Sequence, residues 1–397
     1  MKFRLPHINT GADSVAVVGS VFGIASLSAG WFTLKANRLA EGEYFSVASA
    51  AGSGAFLILL ILWLACLLLS FFRQWRFTYP LLGLTANLIL ILTGLFISSA
   101  AAGLLDGAGP STRVALGGGV WLTLLAVYFV VFTAYRNLSG RRWRQLAVAL
   151  SGSLVLILML AGGAFDDLSV MREYAANHER FGQELIRHLV LAGASVAAAA
   201  LAGVGLGIWA ARRRRTEKYI FAVTNITQTV PSLALFGLMI APLSFLSFQF
   251  PFLRELGIRG IGAAPAIIAL FIYALLPIVR NTFLGLKQID PAVMDAGAGM
   301  GMNRGQLFRR IEIPLAAPLV LEGISIASVQ AVGLTAVAAL IGAGGLGWFI
   351  FQGLGQAAPD MILLGTLPII FMAVIVDGLM RLAVSFGSPR GLKRSNS

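Results

Sequence analysis

The sequence predicts an all-α polytopic membrane protein of about ten transmembrane helices, with both termini in the cytoplasm. Three observations predict it. Of 397 residues, 58% are hydrophobic and only 12% charged, against about 25% charged in soluble domains. The apolar residues gather in long runs without a helical or alternating polar stripe. The basic residues gather in every second connection between those runs. A soluble fold of this length could not hide so much apolar surface, because surface grows nearly as fast as volume.

The runs, taken in order, are 14–34, 50–72, 79–102, 114–135, 146–165, 188–211, 219–246, 264–285, 315–341 and 361–384. A spanning helix needs about 20 apolar residues at 1.5 Å rise per residue. With no water in the hydrocarbon core, only a helix satisfies its own backbone over such a length, and a barrel would show short alternating segments instead. The start, Met1-Lys2-Phe3-Arg4, leads into a full-length run with no small-residue cleavage site, so the first run reads as an uncleaved span.

The connections set the orientation. One side carries Arg73 and Arg76, then Arg136, Arg141, Arg142 and Arg144, then Arg212 to Arg215 with Lys218, then the 286–314 loop and a tail with Arg390, Lys393 and Arg394. Cytoplasmic loops hold the excess of Lys and Arg, so this side is the cytoplasm. The net charge of +13 is thus a topology signal, and no aromatic-studded basic patch points to nucleic acid. One cysteine, Cys66, and three scattered histidines, His7, His178 and His188, leave neither a disulfide framework nor a metal site.

Organisation follows from the same pattern. Residues 1–165 form a five-helix membrane extension, 166–188 a polar periplasmic connector with helical character, 189–385 a second five-helix unit, and 386–397 a cytoplasmic tail. The halves show no matched broken segments, which argues against an inverted-repeat, ion-coupled secondary transporter. No cluster of His, Asp, Glu or nucleophiles at one depth points to a membrane-embedded enzyme, so no residue is assigned a catalytic role.

The loop between the eighth and ninth runs is the informative one. It reads Asp295-Ala296-Gly297, three residues, Gly301, nine residues, then Ile311-Glu312-Ile313-Pro314. A short helix along the membrane surface is the simplest solid link between a membrane protein and a soluble motor. Ala296 and Gly301 let two backbones approach, and Gly301 can turn the chain between two helical pieces. Asn303 can cap the second piece, and Arg304, Arg309 and Arg310 suit acidic partner groups or lipid phosphates. Pro314, with no N–H, can open the next span.

This loop resembles the Glu-Ala-Ala, three residues, Gly, nine residues, Ile-x-Leu-Pro segment of ABC importer permeases at full spacing. Asp295 stands for Glu, Gly297 for Ala and Ile313 for Leu. Gln228-Thr229-Val230-Pro231-Ser232-Leu233-Ala234 is similar to a segment of permeases for glycine betaine, choline and related quaternary amines. Leu276 to Thr282, Gly333 to Ala336 and Ile341 to Gly347 add to that resemblance, and residues 1–165 resemble the front end of the long low-affinity betaine permeases. The resemblance implies a bacterial inner-membrane permease core of the type I import kind over roughly 185–385, translocating glycine betaine or a related osmoprotectant. It also implies cytoplasmic ABC ATPase subunits, a periplasmic substrate-binding protein and a second permease as partners. No Lys precedes Ser or Thr, so the chain has no phosphate loop and ATP belongs to a partner. A permease for methionine or another amino acid is the alternative within the class.

Several residues carry two readings. Gln228, Thr229 and Pro231 read as a bent helix lining the translocation path, or as a structural kink. Glu322 could steer a cation along that path, whereas it and Asp377 could pair with arginines near the interface. Gly342, Gly344 and Gly347 match a dinucleotide fingerprint without its strand and helix, so they read as a span end or packing site. Gly203 and Gly207 read as helix packing. Trp31, Trp143, Trp209 and Trp348 read as interface anchors, with a cation–π cage the second reading for Trp348.

Overall fold

The computed structural model describes residues 11–38, 40–138 and 142–387. The expectations placed on Met1 to Arg4, His7, Arg141, Arg390, Lys393 and Arg394 lie outside the described residues. The chain forms two compact units, Met1–Ala176 and Asn177–Ser397. Among the described residues nine helices are long and apolar enough to span a membrane. The helical membrane class expected from composition is the class found.

The first unit opens with α1 (Ser14–Ser26), 13 residues long. Asp13 caps it, its carboxylate accepting the Ala16 N–H at 3.2 Å. The first apolar run thus yields a helix shorter than a span. Its remainder enters β1 (Phe32–Lys35), which pairs with β2 (Glu43–Phe45) and β3 (Arg113–Leu116) in the antiparallel order β2-β1-β3. Phe32 faces Phe45 on one side and Leu116 on the other. Phe-Thr-Leu-Lys is rich in residues that suit a pleated, half-buried surface. Length and hydropathy alone could not separate it from helix.

After a short α2 (Val47–Ala50), the helices α3 (Ser53–Ser70), α4 (Thr78–Leu105), α5 (Gly118–Asn137) and α6 (Arg142–Ala161) follow. Their shared core holds Trp31, Leu59, Trp63, Leu82 and Ile89, all fully buried. Trp31 is therefore a core residue and no interface anchor. Its indole N–H donates to the Ser26 carbonyl at 2.9 Å, which removes the cost of burying it.

The next helix, α7 (Ser169–Arg212), departs from helical geometry at Asn177 (φ −128°). Most of the polar stretch expected as a solvated connector is its first part, and several of its charges are paired, Arg172 with Asp167 and Arg180 with Glu184 among them. Glu173, 1% exposed, pairs with Arg38 and with Arg113 at 3.5 Å.

The second unit continues through α8 (Arg214–Thr229), α9 (Ser232–Gln249), α10 (Pro251–Glu255) and α11 (Ala263–Lys287). It then runs through α12 (Pro291–Gly299), α13 (Arg304–Leu307), a π-helical turn (Phe308–Glu312) and α14 (Ile313–Thr335). A 3₁₀ turn (Val337–Ile341), α15 (Gly347–Gly355) and α16 (Pro359–Gly387) complete it. The centre of this unit is α11 packed on α14, with α16 on the other side of α14. In lipid the hydrophobic effect does not drive helices together, so close van der Waals approach must. Small residues permit it: a Cβ added at Gly207 would lie 2.6 Å from Thr282 Cβ, and one at Gly323 would lie 2.8 Å from the Pro277 carbonyl oxygen. Gly203, against Ile278, acts in the same way.

Candidate functional site

The 290–314 segment is a helix–turn–helix with every local signal in agreement. Asp290 caps α12, its side chain accepting the Ala292 N–H at 2.8 Å, and Pro291 occupies the first turn, where no donor is needed. The helix ends in a Schellman turn. Met302 N–H donates to the Gly297 carbonyl at 3.2 Å and Gly301 N–H to the Ala298 carbonyl at 2.9 Å. This places Gly301 at φ +82°, a region that glycine enters freely and β-branched residues scarcely at all. Asn303 then opens α13 with a capping box. Its side chain accepts the Gln306 N–H at 3.0 Å, and the Gln306 side chain accepts the Asn303 N–H at 2.9 Å.

Gly297 is buried inside this turn. A Cβ there would lie 2.6 Å from Ile311 Cδ1 and 2.7 Å from Leu307 Cδ2. The glycine that weakens helix propensity is thus the contact that lets the second helix fold onto the first. Asp295, Ala296, Gly301 and Arg304 are exposed, as are Ile313 and Pro314, while Ile311 is half-buried. Val293 and Met300 are also exposed, Met300 by 72%. The outer face of α12 therefore carries small and apolar side chains beside one carboxylate.

Pro314 stands in the first turn of α14, as expected, although helical structure runs unbroken into it from Arg304. A π-helical turn precedes it, with Ile313 N–H donating to the Phe308 carbonyl. A proline ring clashes with the carbonyl four residues back, and a widened turn accommodates it. Glu312, missed in the sequence reading except as a spacer, is buried beside this turn and pairs with Arg212 at the end of α7. The Arg212 guanidinium also lies 5.4 Å from the Phe308 ring centroid. The surface segment is thereby fastened to the long helix α7. The clue lay in the Arg212 to Arg215 run, but only the fold brings residues 100 positions apart together.

The seventh apolar run breaks where a bend was expected. α8 stops at Thr229, Val230 is extended, and Pro231 precedes α9. The break is tied to α11 by two hydrogen bonds. Gln228 Nε2 donates to the Tyr273 carbonyl at 2.9 Å, and the Tyr273 hydroxyl donates to the Val230 carbonyl. Pro277 explains the first, since it removes the N–H that would meet the Tyr273 carbonyl in the α11 ladder. Thr229 donates to its own helix, to the Ile226 carbonyl at 2.7 Å, and both Thr229 and Pro231 are exposed.

Glu322 sits exposed on α14, where its field acts on Arg381 of α16; Arg381 donates to Asp377 at 2.7 Å. The glycine loop after the 3₁₀ turn wraps α7: Gly345 N–H donates to Glu184 at 2.6 Å and Leu346 N–H to His188 Nδ1 at 3.2 Å. His188 Nε2 in turn meets the Val332 carbonyl at 2.9 Å. Arg180 lies 3.5 Å above the Trp348 ring, so the cation on Trp348 is the chain's own. Trp143 and Trp209 are exposed, as anchors would be.

Between two apolar helices long enough to span a membrane, α11 and the Arg304–Thr335 stretch, the chain thus carries a short capped helix and a closed turn. The family profile described as the binding-protein-dependent transport system inner membrane component matches residues 203–385. A second profile, the N-terminal domain of the ABC transporter permease YehY, matches residues 12–171. The chain is 37% identical over 224 residues to the glycine betaine/carnitine/choline transport system permease protein OpuCD of Bacillus subtilis (strain 168), covering 56% of this chain and 91% of that one. It is 40% identical over 191 residues to the carnitine transport permease protein OpuCB of Listeria monocytogenes, covering 48% and 80%. With the osmoprotectant import permease protein OsmW of Salmonella typhimurium it shares 37% over 207 residues, covering 52% and 91%. Among solved structures, one of the MetNI methionine ABC transporter resembles it at 20% identity and a TM-score of 0.46, over 53% of this chain and 96% of that one. The chain belongs to the family of inner-membrane permeases of binding-protein-dependent ABC importers. It is a multi-pass protein of the bacterial inner membrane.

Proposed function

We propose that this permease carries glycine betaine or a related quaternary-amine osmoprotectant, working with a periplasmic substrate-binding protein, separate cytoplasmic ATPase subunits and a second permease, either a copy or a relative. The observation that carries the coupling half of this reading is the 290–314 segment. Its turn is closed by a Schellman motif and a capping box, and its base is pinned by the Arg212–Glu312 pair. A segment so fastened moves as one body. A push on the outer face of α12, around Asp295 and Ala296, passes through Arg304, Ile311 and Ile313 to Pro314 and into α14, and so into the packing of α14 on α11.

The substrate half rests on the relatives, whose names cite betaine, choline, carnitine and osmoprotectants. A quaternary ammonium has no N–H to donate, so a path for it needs few dedicated acceptors. In this reading Thr229, Pro231 and Glu322 border the path, and Gln228 holds the break at its wall. The core then passes between inward-open and outward-open states that ATP on one side and loaded receptor on the other favour unequally.

The test is uptake of radiolabelled betaine in cells with and without this chain, with choline, proline and methionine as competitors. Uptake lost with the chain and competed by choline agrees with the proposal. Uptake indifferent to loss of the chain, or competed by methionine alone, contradicts it.

A further inference from the structure

The first unit contains a cleft that the transport reading does not use. It has a volume of about 960 Å³, in the range of pockets that hold organic ligands, and lies between the α3–α4 connection, α4 and α6. Its outer rim is cationic and aromatic, with Arg76, Arg144, Trp75 and Trp143. Its apolar wall includes Leu84, Ala147 and Val148. Among the described residues lining it, none is acidic.

The rim arginines differ in their engagement. Arg73 is occupied: it hydrogen-bonds Tyr79, whose hydroxyl also contacts Asp13 at 3.4 Å. Arg76 and Arg144 form no ion pair among the described residues. Each guanidinium instead rests over a ring, Arg76 at 4.4 Å from the Phe77 centroid and Arg144 at 5.6 Å from that of Trp143. Stacking of this kind orients a guanidinium and leaves its N–H donors free for an oxyanion.

The depth of the cleft is set by a specific device. The Asn87 side chain bridges α4 to α6, with Nδ2 donating to the Val148 carbonyl at 2.9 Å and Oδ1 accepting the Gly152 N–H at 2.8 Å. Those two groups are a ladder pair of α6, so the amide is inserted into that helix's own hydrogen-bond row. Gly152 is required, because a Cβ there would lie 2.5 Å from Asn87 Oδ1. The two helices are clamped at Asn87, and the side chains on its arginine side line the cleft. Gly152 is the one buried α6 residue among the described residues, so one wall of the cleft belongs to a helix with an open, apolar outer face.

From this juxtaposition we infer that the cleft is a binding site for an anionic phospholipid, whose phosphate lies on Arg76 and Arg144 and whose acyl chain follows the Leu84–Val148 wall. The arginines stand at the end that charge asymmetry assigns to the cytoplasm, level with the headgroups of that leaflet. A water-soluble anion would use the rim but gain nothing from the apolar wall.

The test uses the full chain, purified in mild detergent and titrated with phosphatidylglycerol or phosphatidylethanolamine, with bound lipid read by native mass spectrometry. The wild type should retain phosphatidylglycerol at least tenfold better than phosphatidylethanolamine. Arg76→Gln with Arg144→Gln should lower that retention about tenfold, and Ala147→Trp, which fills the cleft from a lipid-facing position, should lower it with no loss of charge. Arg214→Gln with Arg215→Gln, an equal loss of charge elsewhere, should leave it unchanged. Equal retention of the two lipids, undiminished retention in both cleft variants, or displacement of the lipid by millimolar glycerol phosphate would overturn the inference.

Discussion

Pro277 deprives the Tyr273 carbonyl of its ladder donor, and Gln228 supplies one from across the helix break. In water such a carbonyl would find solvent; in the hydrocarbon core it must find protein. Replacing Gln228 by Leu should therefore destabilise the fold by about 1 kcal/mol, the scale of one intramembrane hydrogen bond. In a Pro277→Ala background the restored N–H meets the carbonyl, so Gln228→Leu should then cost close to nothing in thermal unfolding. An equal cost in both backgrounds would show that Gln228 does something else. Gln228 and Pro231 were legible in the sequence as a polar group and a helix breaker inside an apolar run. What each would bond was not, because Tyr273 lies 45 residues away and only packing brings it near. The same holds for Glu312 and Arg212, and for Asn87, whose position in α4 reveals nothing of the α6 ladder it enters.

At the scale of elements, the 290–314 segment is the best-determined part of the chain by local rules. Asp290-Pro291, Gly301 and Asn303-x-x-Gln306 are stop and start signals readable by eye, and the structure uses each in that role. Nine of the ten expected spans were equally legible, since composition alone forces long helices in lipid; the first run instead gave the short α1 and β1. The small antiparallel sheet was not legible, because the alternation of Phe32-Thr33-Leu34-Lys35 spans only four residues and is masked by the longer apolar run it ends. The rigidity of the turn can be tested. Gly301→Val forces a β-branched residue to φ +82°, a strain of about 1–3 kcal/mol. The local relief is an unwound turn. In proteoliposomes of the assembled importer, uptake should fall at least tenfold while ATP hydrolysis persists, with loss of its stimulation by the loaded receptor. Unchanged stimulation would mean that the turn is no part of the transmission.

At the scale of the whole molecule, the chain forms two units that match different family profiles. The second carries the family's permease region and the surface helix. The first carries the sheet and the arginine-lined cleft, and matches a separate N-terminal family. The central claim is that force enters the second unit at the outer face of α12. Met300→Cys offers the most direct measurement, because Met300 is 72% exposed and the single native cysteine, Cys66, is fully buried and will not compete. A photoactivatable thiol cross-linker at Met300→Cys, used on the assembled importer in inverted membrane vesicles during turnover, should capture a nucleotide-hydrolysing subunit, with a yield that changes when ATP is added. A cysteine reached only from the periplasmic face, or one that captures no such subunit in any nucleotide state, would contradict the account.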